Sequence, residues 1–504
     1  MFIRQKKNKS GKVSVQVIDK ANGKYSVAKT IGSSADANIL PQLVKQAELW
    51  IEQKLGMREL DFAQSDLLLE QLIESIQQVK VVGTELLLGK LFDQIGFNVI
   101  KDGLFRKLVL ARLSYPVSKL KTVDYLRRYE GYQTNEDDIY RYLDKLNATQ
   151  KRMVEQISYA HTLKVLNNSM QIVFYDVTTL YFEIEQEDSL RKTGFSKEGK
   201  HQNPQIVLGL LVSTNGYPLA YEIYEGKKFE GDTMLPIINL FKRKYKLNNL
   251  VVVADAGLLS ARNISSLEAN HYQYILGARI KNESKDVKDK IFSLNLNDGQ
   301  SAVIEKGDGI KLIIHYSQAR AKKDKANREK GIAKLEKQIK TNQLTKAHIN
   351  NKGYNKFLKM DGTVKISLDQ PKINADKKWD GLKGYITNTS LDKTQVIENY
   401  AHLWRIEKAF RVAKTDLKIR PIFHYAHRRI EAHICLNFVA YKIYKELERQ
   451  LKNLNSTLSP EKAIEIVKSI YGITAIKPRS KEVFQKTLLL NDEQRNLAAL
   501  FNLV

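Results

Sequence analysis

QIVFYD at 171–176 and NLVVVAD at 249–255 decide the fold. Each is a run of apolar, largely β-branched residues ending on an aspartate, the pattern of a strand buried on both faces whose last residue reaches the sheet edge. Between them PQIVLGLLV (204–212) and PLAYEIY (218–224) read as two further strands, joined by a turn at Asn215-Gly216. TMLPIINLFKRKY (233–245) and SARNISSLEAN (260–270) have helical spacing, and YQYILGA (272–278) returns to strand. Three strands, a helix, a strand, a helix and a strand predict an α/β fold: a mixed sheet flanked by helices.

Working outward, the chain divides into six expected segments. Residues 1–56 hold a β-hairpin over 13–31, turning at Asn22-Gly23, and a helix LVKQAELWIEQKLG (43–56) capped by Gly56. Residues 57–165 are expected to be helical and to bind DNA. Their stretch RKLVLARLSYPVSKLKTVDYLRRY (106–129) mixes basic with aromatic residues, although a helical cap whose cations merely face water fits as well. Residues 166–279 are the first part of the core. In 280–383, short strands (SAVIEKG, IKLIIHYS, VKISLD) surround a basic helical arm, in which Arg320 to Lys359 carries 13 Lys or Arg against three acids. Residues 384–450 complete the core, with one long helix predicted over 396–417 and another over 428–451 that is apolar on most sides. Residues 451–504 read as a helical tail.

Composition narrows the function classes. The 504 residues are 43% hydrophobic and 9% aromatic, enough to bury real cores in more than one domain. Lys and Arg number 82 against 56 Asp and Glu, a formal charge of +26, which favours a polyanionic partner and nucleic acid above all. Cys435 is the single cysteine, so no intrachain disulfide and no cysteine-rich zinc module can form. The start MFIRQKKNKSGKV lacks the apolar core of a signal peptide, and no apolar run approaches the roughly twenty residues of a membrane span. A cytoplasmic protein with no membrane partner is expected.

The chemistry rests on carboxylates. Asp176 and Asp255 close two buried strands, and on neighbouring strands such residues can hold a hard cation such as Mg²⁺. Glu407 is the best third candidate. At 100° per residue Tyr400, Leu403, Glu407, Arg411 and Lys414 share one side of the predicted helix, within about 40° of Glu407. One carboxylate flanked by cations suits a metal and a scissile phosphate. Singly, each acid reads equally as a cap or a surface ion pair.

Five stretches carry a family resemblance: YDVTTLYFE (175–183), GFSKEGKHQNPQIVLGLLVSTNGYPLAYEIYEGK (194–227), VVVADAGLLS (251–260), GYITNT (384–389) and YAHLWRIEKAFRVAKTDLKIRPIFH (400–424). They resemble the DDE transposases of bacterial insertion sequences, in the insertion-sequence-four superfamily with its Tyr-Arg-Glu-Lys signature. The resemblance implies an RNase H-like core interrupted by a β-rich insertion between the second aspartate and the glutamate. It makes Asp176, Asp255 and Glu407 the catalytic, metal-holding triad, with two Mg²⁺ or Mn²⁺ ions. Tyr400 and Lys414 match the signature. Leu403 holds its arginine position, leaving Arg405 or Arg411 as the phosphate contact. The implied reaction nicks double-stranded DNA at an element's terminal inverted repeats, then joins the freed 3′-OH to target DNA. A homodimer on DNA, associated with the nucleoid of a bacterial cytoplasm, is implied too.

Other signals read more plainly. Gly194 to Lys200 has the glycine spacing of a nucleotide loop, but His201 stands where Ser or Thr should be and a strand follows instead of a helix, so no nucleotide cofactor is expected. Lys200 and His201 are candidates to contact DNA. His424, His427, His433 and Cys435 are poorly spaced for zinc and read as one core and several surface residues. Trp404 reads as core, with base stacking the other reading. Two rivals remain: a non-enzymatic DNA-binding descendant of such an enzyme, and a metal-dependent nuclease without strand transfer.

Overall fold

The computed structural model describes the chain except residues 21–22, 56–68, 197–198, 248–249, 259, 362–364 and 478–479. Asn22 of the expected hairpin turn and the Gly56 cap lie outside the described residues. Two compact units emerge, Met1–Gln78 with Ile473–Lys486 and Val79–Gly472 with Thr487–Val504.

In the first unit β1 (Phe2–Lys7), β2 (Val13–Asp19) and β3 (Ser26–Ser34) form an antiparallel sheet in that order. Val15 and Val17 are fully buried against Ala47 of the helix Leu40–Leu55, following the alternation that predicted the hairpin. Sequence reading missed β1, because FIRQKK is basic and exposed along most of its length.

The second unit is built on an eight-stranded sheet. After β4 (Ile76–Val81) its strands are β5 (Ile172–Tyr181), β6 (Gln205–Ser213), β7 (Pro218–Glu225), β8 (Val251–Ala254), β9 (Gln273–Ala278), β10 (Ser301–Gly307) and β11 (Ile310–Tyr316). The small hairpin β12 (Leu358–Asp361) and β13 (Lys365–Leu368) stands outside the sheet, and β14 (Leu382–Thr387) completes it. The order is β10-β11-β14-β9-β8-β5-β6-β7, with β5 parallel to β8, β8 parallel to β9, and β6 and β7 antiparallel. The five strands β5 to β9 make the RNase H-like core. The first two strands of the insertion are not separate from it: β11 pairs β14 and so extends the same sheet.

Every residue of β6 is buried because helices cover both faces. On one face Val173, Tyr175 and Val177 pack with the helix Met234–Tyr245 and with Leu267. On the other, Phe174 and Leu180 pack with Ile406 and Phe410 and with the helix His427–Asn453. Gly209 in β6 has a packing cause: a Cβ there would lie 2.6 Å from the Tyr175 hydroxyl, which donates to Thr233 Oγ1 at 2.7 Å. The β6–β7 turn closes as expected, with Gly216 at φ 78° and its N–H donating to Ser213 O at 2.8 Å.

Two expectations change here. The stretch 451–504 contains strands Tyr471–Ile476 and Val483–Leu488 besides helices, so it is not a purely helical tail. The single helix over 396–417 is two helices, Lys393–Ala401 and Trp404–Thr415. Between them His402, Leu403, Arg405 and Ile406 donate to carbonyls three residues back, a tighter winding than the four-residue ladder. No described helix is long and apolar enough to cross a membrane.

Candidate functional site

Strand pairing brings the two aspartates side by side. Tyr175 of β5 pairs with Ala254 of β8 in parallel register, so the next residues, Asp176 and Asp255, stand on adjacent strands at the same level. Asp176 is half-buried, points to the face that holds Phe174 and Leu180, and accepts the Val177 N–H at Oδ1 (2.8 Å). Asp255 is exposed just beyond its strand. Arg279 braces the loop that follows, donating to Ala256 O at 3.0 Å and Gly257 O at 3.3 Å.

Tyr400 joins this pair to the helices downstream. Its hydroxyl donates to Asp255 Oδ1 at 2.9 Å, while its ring, only 5% exposed, meets Tyr385 edge-on at 4.9 Å. Burial first, then the charges of Asp255 and Glu407, push the Tyr400 pKa up, so it remains a neutral donor. Gly277 makes the contact possible: a Cβ there would lie 2.5 Å from the hydroxyl.

Glu407 is exposed in the first turn of Trp404–Thr415, a helix that packs on β5 and β6. Its carboxylate makes no hydrogen bond or ion pair with a described residue. Lys383 of β14 shows that the acids share one locality. Burial and then Arg320 lower its pKa, while Asp255 and Glu407 both raise it. Its Nζ lies 4.3 Å from the Tyr400 ring centroid. Sequence reading named Arg320 only as the start of the basic arm and passed over Lys383, although a lysine in the otherwise apolar strand LKGYIT was a visible signal. Arg320, at the start of the basic helix Gln318–Lys340, brings the inserted arm to this site.

The helix break revises the predicted wheel. Tyr400 and Glu407 lie on different helices, with the Glu407 charge near enough to raise the Tyr400 pKa, whereas Arg411 and Lys414 do follow Glu407 at four and seven residues on one helix. Leu403, in the signature's arginine position, is a core residue 6% exposed. Arg405 points about 200° away from Glu407, with Nη1 3.5 Å from Asn215 Oδ1 at the β6–β7 turn. Beside it Trp404 is 51% exposed, contrary to the core reading. Lys200 and His201 are exposed; Lys200 Nζ lies 5.5 Å from the Tyr181 ring, and His201 Nδ1 accepts the Ser196 N–H at 3.4 Å.

His424, His433 and Cys435 are buried and His427 alone is exposed, where one core and several surface residues were expected. His433 Nε2 lies 2.9 Å from Ile419 O, His427 faces Asp188 at 3.6 Å, and burial pushes the Cys435 thiol up to about 12.

Among the described residues no group of three or more His, Cys, Asp or Glu side chains, Asp176, Asp255 and Glu407 included, already stands close enough together to hold a metal ion. The donor chemistry still fits a hard divalent ion. All three candidates are carboxylates, two stand level on adjacent strands, and Glu407 shares the Lys383 and Tyr400 neighbourhood with Asp255.

The family model for the transposase DDE domain matches residues 167–443. No curated protein matches the chain. Among solved structures, a piggyBac transposase synaptic complex with hairpin DNA is similar at 8% identity and TM-score 0.36, covering 77% of this chain and 78% of that one. A Mos1 transposase paired-end complex with the left transposon end is similar at 13% identity and TM-score 0.16, over 37% and 56% of the two chains. A Mos1 mariner paired-end complex with Mn aligns at 11% identity and TM-score 0.15, over 31% and 54%.

Proposed function

The chain belongs to the transposase DDE domain family, and on that premise we propose that it is an active transposase of a bacterial insertion sequence. It cuts double-stranded DNA at the element's ends and joins the freed 3′-OH to target DNA, acting as a homodimer in the cytoplasm. The observation that carries this reading is the level pairing of Asp176 with Asp255, tied through the Tyr400 hydroxyl to the helix pair that bears Glu407.

Asp176, Asp255 and Glu407 would hold one or two divalent ions, Mg²⁺ or Mn²⁺, which supply a nucleophile at neutral pH and neutralise charge on the reacting phosphate. The chain's own groups do the rest. Tyr400 fixes the Asp255 carboxylate by donating to Oδ1. Arg411 and Lys414, one and two turns beyond Glu407, offer cations to the strand being cut. Lys383 and Arg320 add positive charge from β14 and the inserted arm. The Tyr-Arg-Glu-Lys assignment is part of the proposal, with Arg411 rather than Arg405 as the stand-in for the missing arginine, because Arg405 faces Asn215. Lys200, His201 and the region 57–165, in which Ile76–Val81 is a strand rather than the expected helix, complete the proposed DNA-contacting surface.

The test is a plasmid assay carrying the element's own ends, with and without Mg²⁺, comparing wild type with Asp176→Ala, Asp255→Ala and Glu407→Ala. Metal-dependent cuts at the ends, lost in each variant, are expected; cutting retained by Asp255→Ala would sink the proposal. Pre-cut ends supplied with target DNA then score joining, which a simple nuclease lacks.

A further inference from the structure

A second concentration of positive charge lies apart from the carboxylates. The helix Gly103–Ser114, the first turn of the helix Lys119–Tyr129 and the segment 418–424 enclose a cavity of about 380 Å³. Arg112 and Lys119 open into it while only 6% and 7% exposed. Neither forms a hydrogen bond or ion pair with a described residue. Burial alone lowers the Arg112 pKa to about 10, and burial followed by the Arg112 charge lowers that of Lys119. A buried cation without a counter-charge is costly, and two together more so.

The rest of the lining sharpens the imbalance. Lys121 and Lys418 add two cations, against the single carboxylate of Glu136, which already faces the Tyr140 hydroxyl. The helix Lys119–Tyr129 presents its N-terminus here, where Ser118 Oγ accepts only the Lys121 N–H. Backbone donors and dipole at that end favour an anion. His424 and His433 complete the wall. Burial and the neighbouring Lys119 and Arg112 lower both pKa values, so near neutral pH the imidazoles are uncharged and accept or donate without adding repulsion.

We propose that this cavity is a phosphate-binding site, with Arg112 and Lys119 as the paired cations and a DNA strand as the source of the phosphate. Its volume falls in the range of small-ligand clefts and leaves room for the attached sugar. The choice of a strand phosphate rests on the transposase reading; the choice of phosphate itself does not.

Two probes separate the sources: inorganic phosphate, read by the Tm of the full chain, and a duplex of the element's end, read by fluorescence anisotropy across a salt series. The variants are Lys119→Met and Arg112→Gln. Phosphate is expected to raise the wild-type Tm and to leave both variants unmoved. Without phosphate the Lys119→Met Tm should equal or exceed the wild-type value, since the lysine has no partner among the described residues to lose; a purely structural lysine would lower it. The duplex should bind each variant at least about tenfold more weakly, with a log–log salt slope shallower by about one. A lost phosphate response with unchanged duplex affinity supports the site and assigns it a free phosphate. Weaker duplex binding without a Tm response supports a phosphate held only as part of the strand. Neither response overturns the inference. Cleavage scored in parallel keeps the two readings distinct: wild-type cleavage with neither response sinks the cavity alone, and a phosphate response without any cleavage sinks the transposase reading alone.

Discussion

Tyr400→Phe removes one hydroxyl and nothing else, and that hydroxyl donates to Asp255 Oδ1 at 2.9 Å. The phenyl ring keeps its 4.9 Å edge contact with Tyr385 and its burial, so the fold should hardly notice: a Tm within about 2 °C of wild type is expected. The carboxylate should notice more. A hydrogen bond to a charged group contributes about 1.5–3 kcal/mol. Asp255 is exposed, so water replaces the lost donor and the lower end applies, about 1.5 kcal/mol, or roughly a tenfold change in affinity. Groups that orient metal ligands through one hydrogen bond commonly matter by about 10- to 100-fold, which brackets that figure. The assay is single-turnover cleavage of a labelled element end over a Mg²⁺ titration. The half-saturating Mg²⁺ concentration should rise about tenfold, with most of the rate recovered at saturation. A variant that cuts with wild-type metal dependence would refute the positioning role of Tyr400, and a variant dead at every metal concentration would mean that the hydroxyl does more than orient Asp255.

Three further outcomes follow from the same coordinates. Gly277→Ala places a Cβ 2.5 Å from the Tyr400 hydroxyl and 3.0 Å from the Ala256 nitrogen, so it should reproduce the metal defect and also cost about 1–3 kcal/mol in urea unfolding; a silent variant would show that the contact yields freely. Stability should fall with acid near neutrality, because burial first, joined by neighbouring cations, depresses His161 to about 4 and His424 to about 3. Below the ordinary value of 6.5 the unfolded chain binds protons that the folded one refuses, so stability drops as pH falls from 6.5 toward 4, by about 1.4 kcal/mol per unit for each histidine at most; a flat unfolding free energy between pH 7 and 5 would contradict it. Arg328, 5% exposed, meets Asp380 through two bonds at 2.5 and 2.6 Å, so Arg328→Ala strands a carboxylate and should loosen the inserted arm by about 3 kcal/mol, seen as faster hydrogen exchange over 318–380; unchanged exchange there would show the pair to be dispensable.

The core was legible because its strands are short apolar runs and its acids sit at their ends: VVVAD specifies both a buried strand and an exposed aspartate. Local pattern could not give the pairing of β11 with β14, which depends on contacts across some seventy residues. Strands such as FIRQKK and VFQKTL escaped for another reason, since mostly exposed strands lack the clean alternation that marks a buried face. The helical wheel placed Tyr400 and Glu407 on one face of a helix that in fact breaks at His402-Leu403, so their relation depends on tertiary packing that spacing does not give. Lys383 and Arg279 show a general gap: groups that brace a site from a neighbouring strand leave little trace in spacing. The charge of +26 pointed to a polyanion but could not single out Arg112 and Lys119, because burial without a partner becomes visible only in three dimensions.

The central claim, that Asp176, Asp255 and Glu407 converge on one divalent-metal site, is tested most directly by iron-mediated cleavage of the protein itself. Fe²⁺ replaces Mg²⁺, ascorbate and peroxide generate short-range radicals at the bound ion, and the cut positions are mapped by mass spectrometry. Cuts clustered near 176, 255 and 407, suppressed by excess Mg²⁺ and lost in Asp255→Ala, are expected. Cuts confined to other segments, or unchanged in Asp255→Ala, would contradict the shared site.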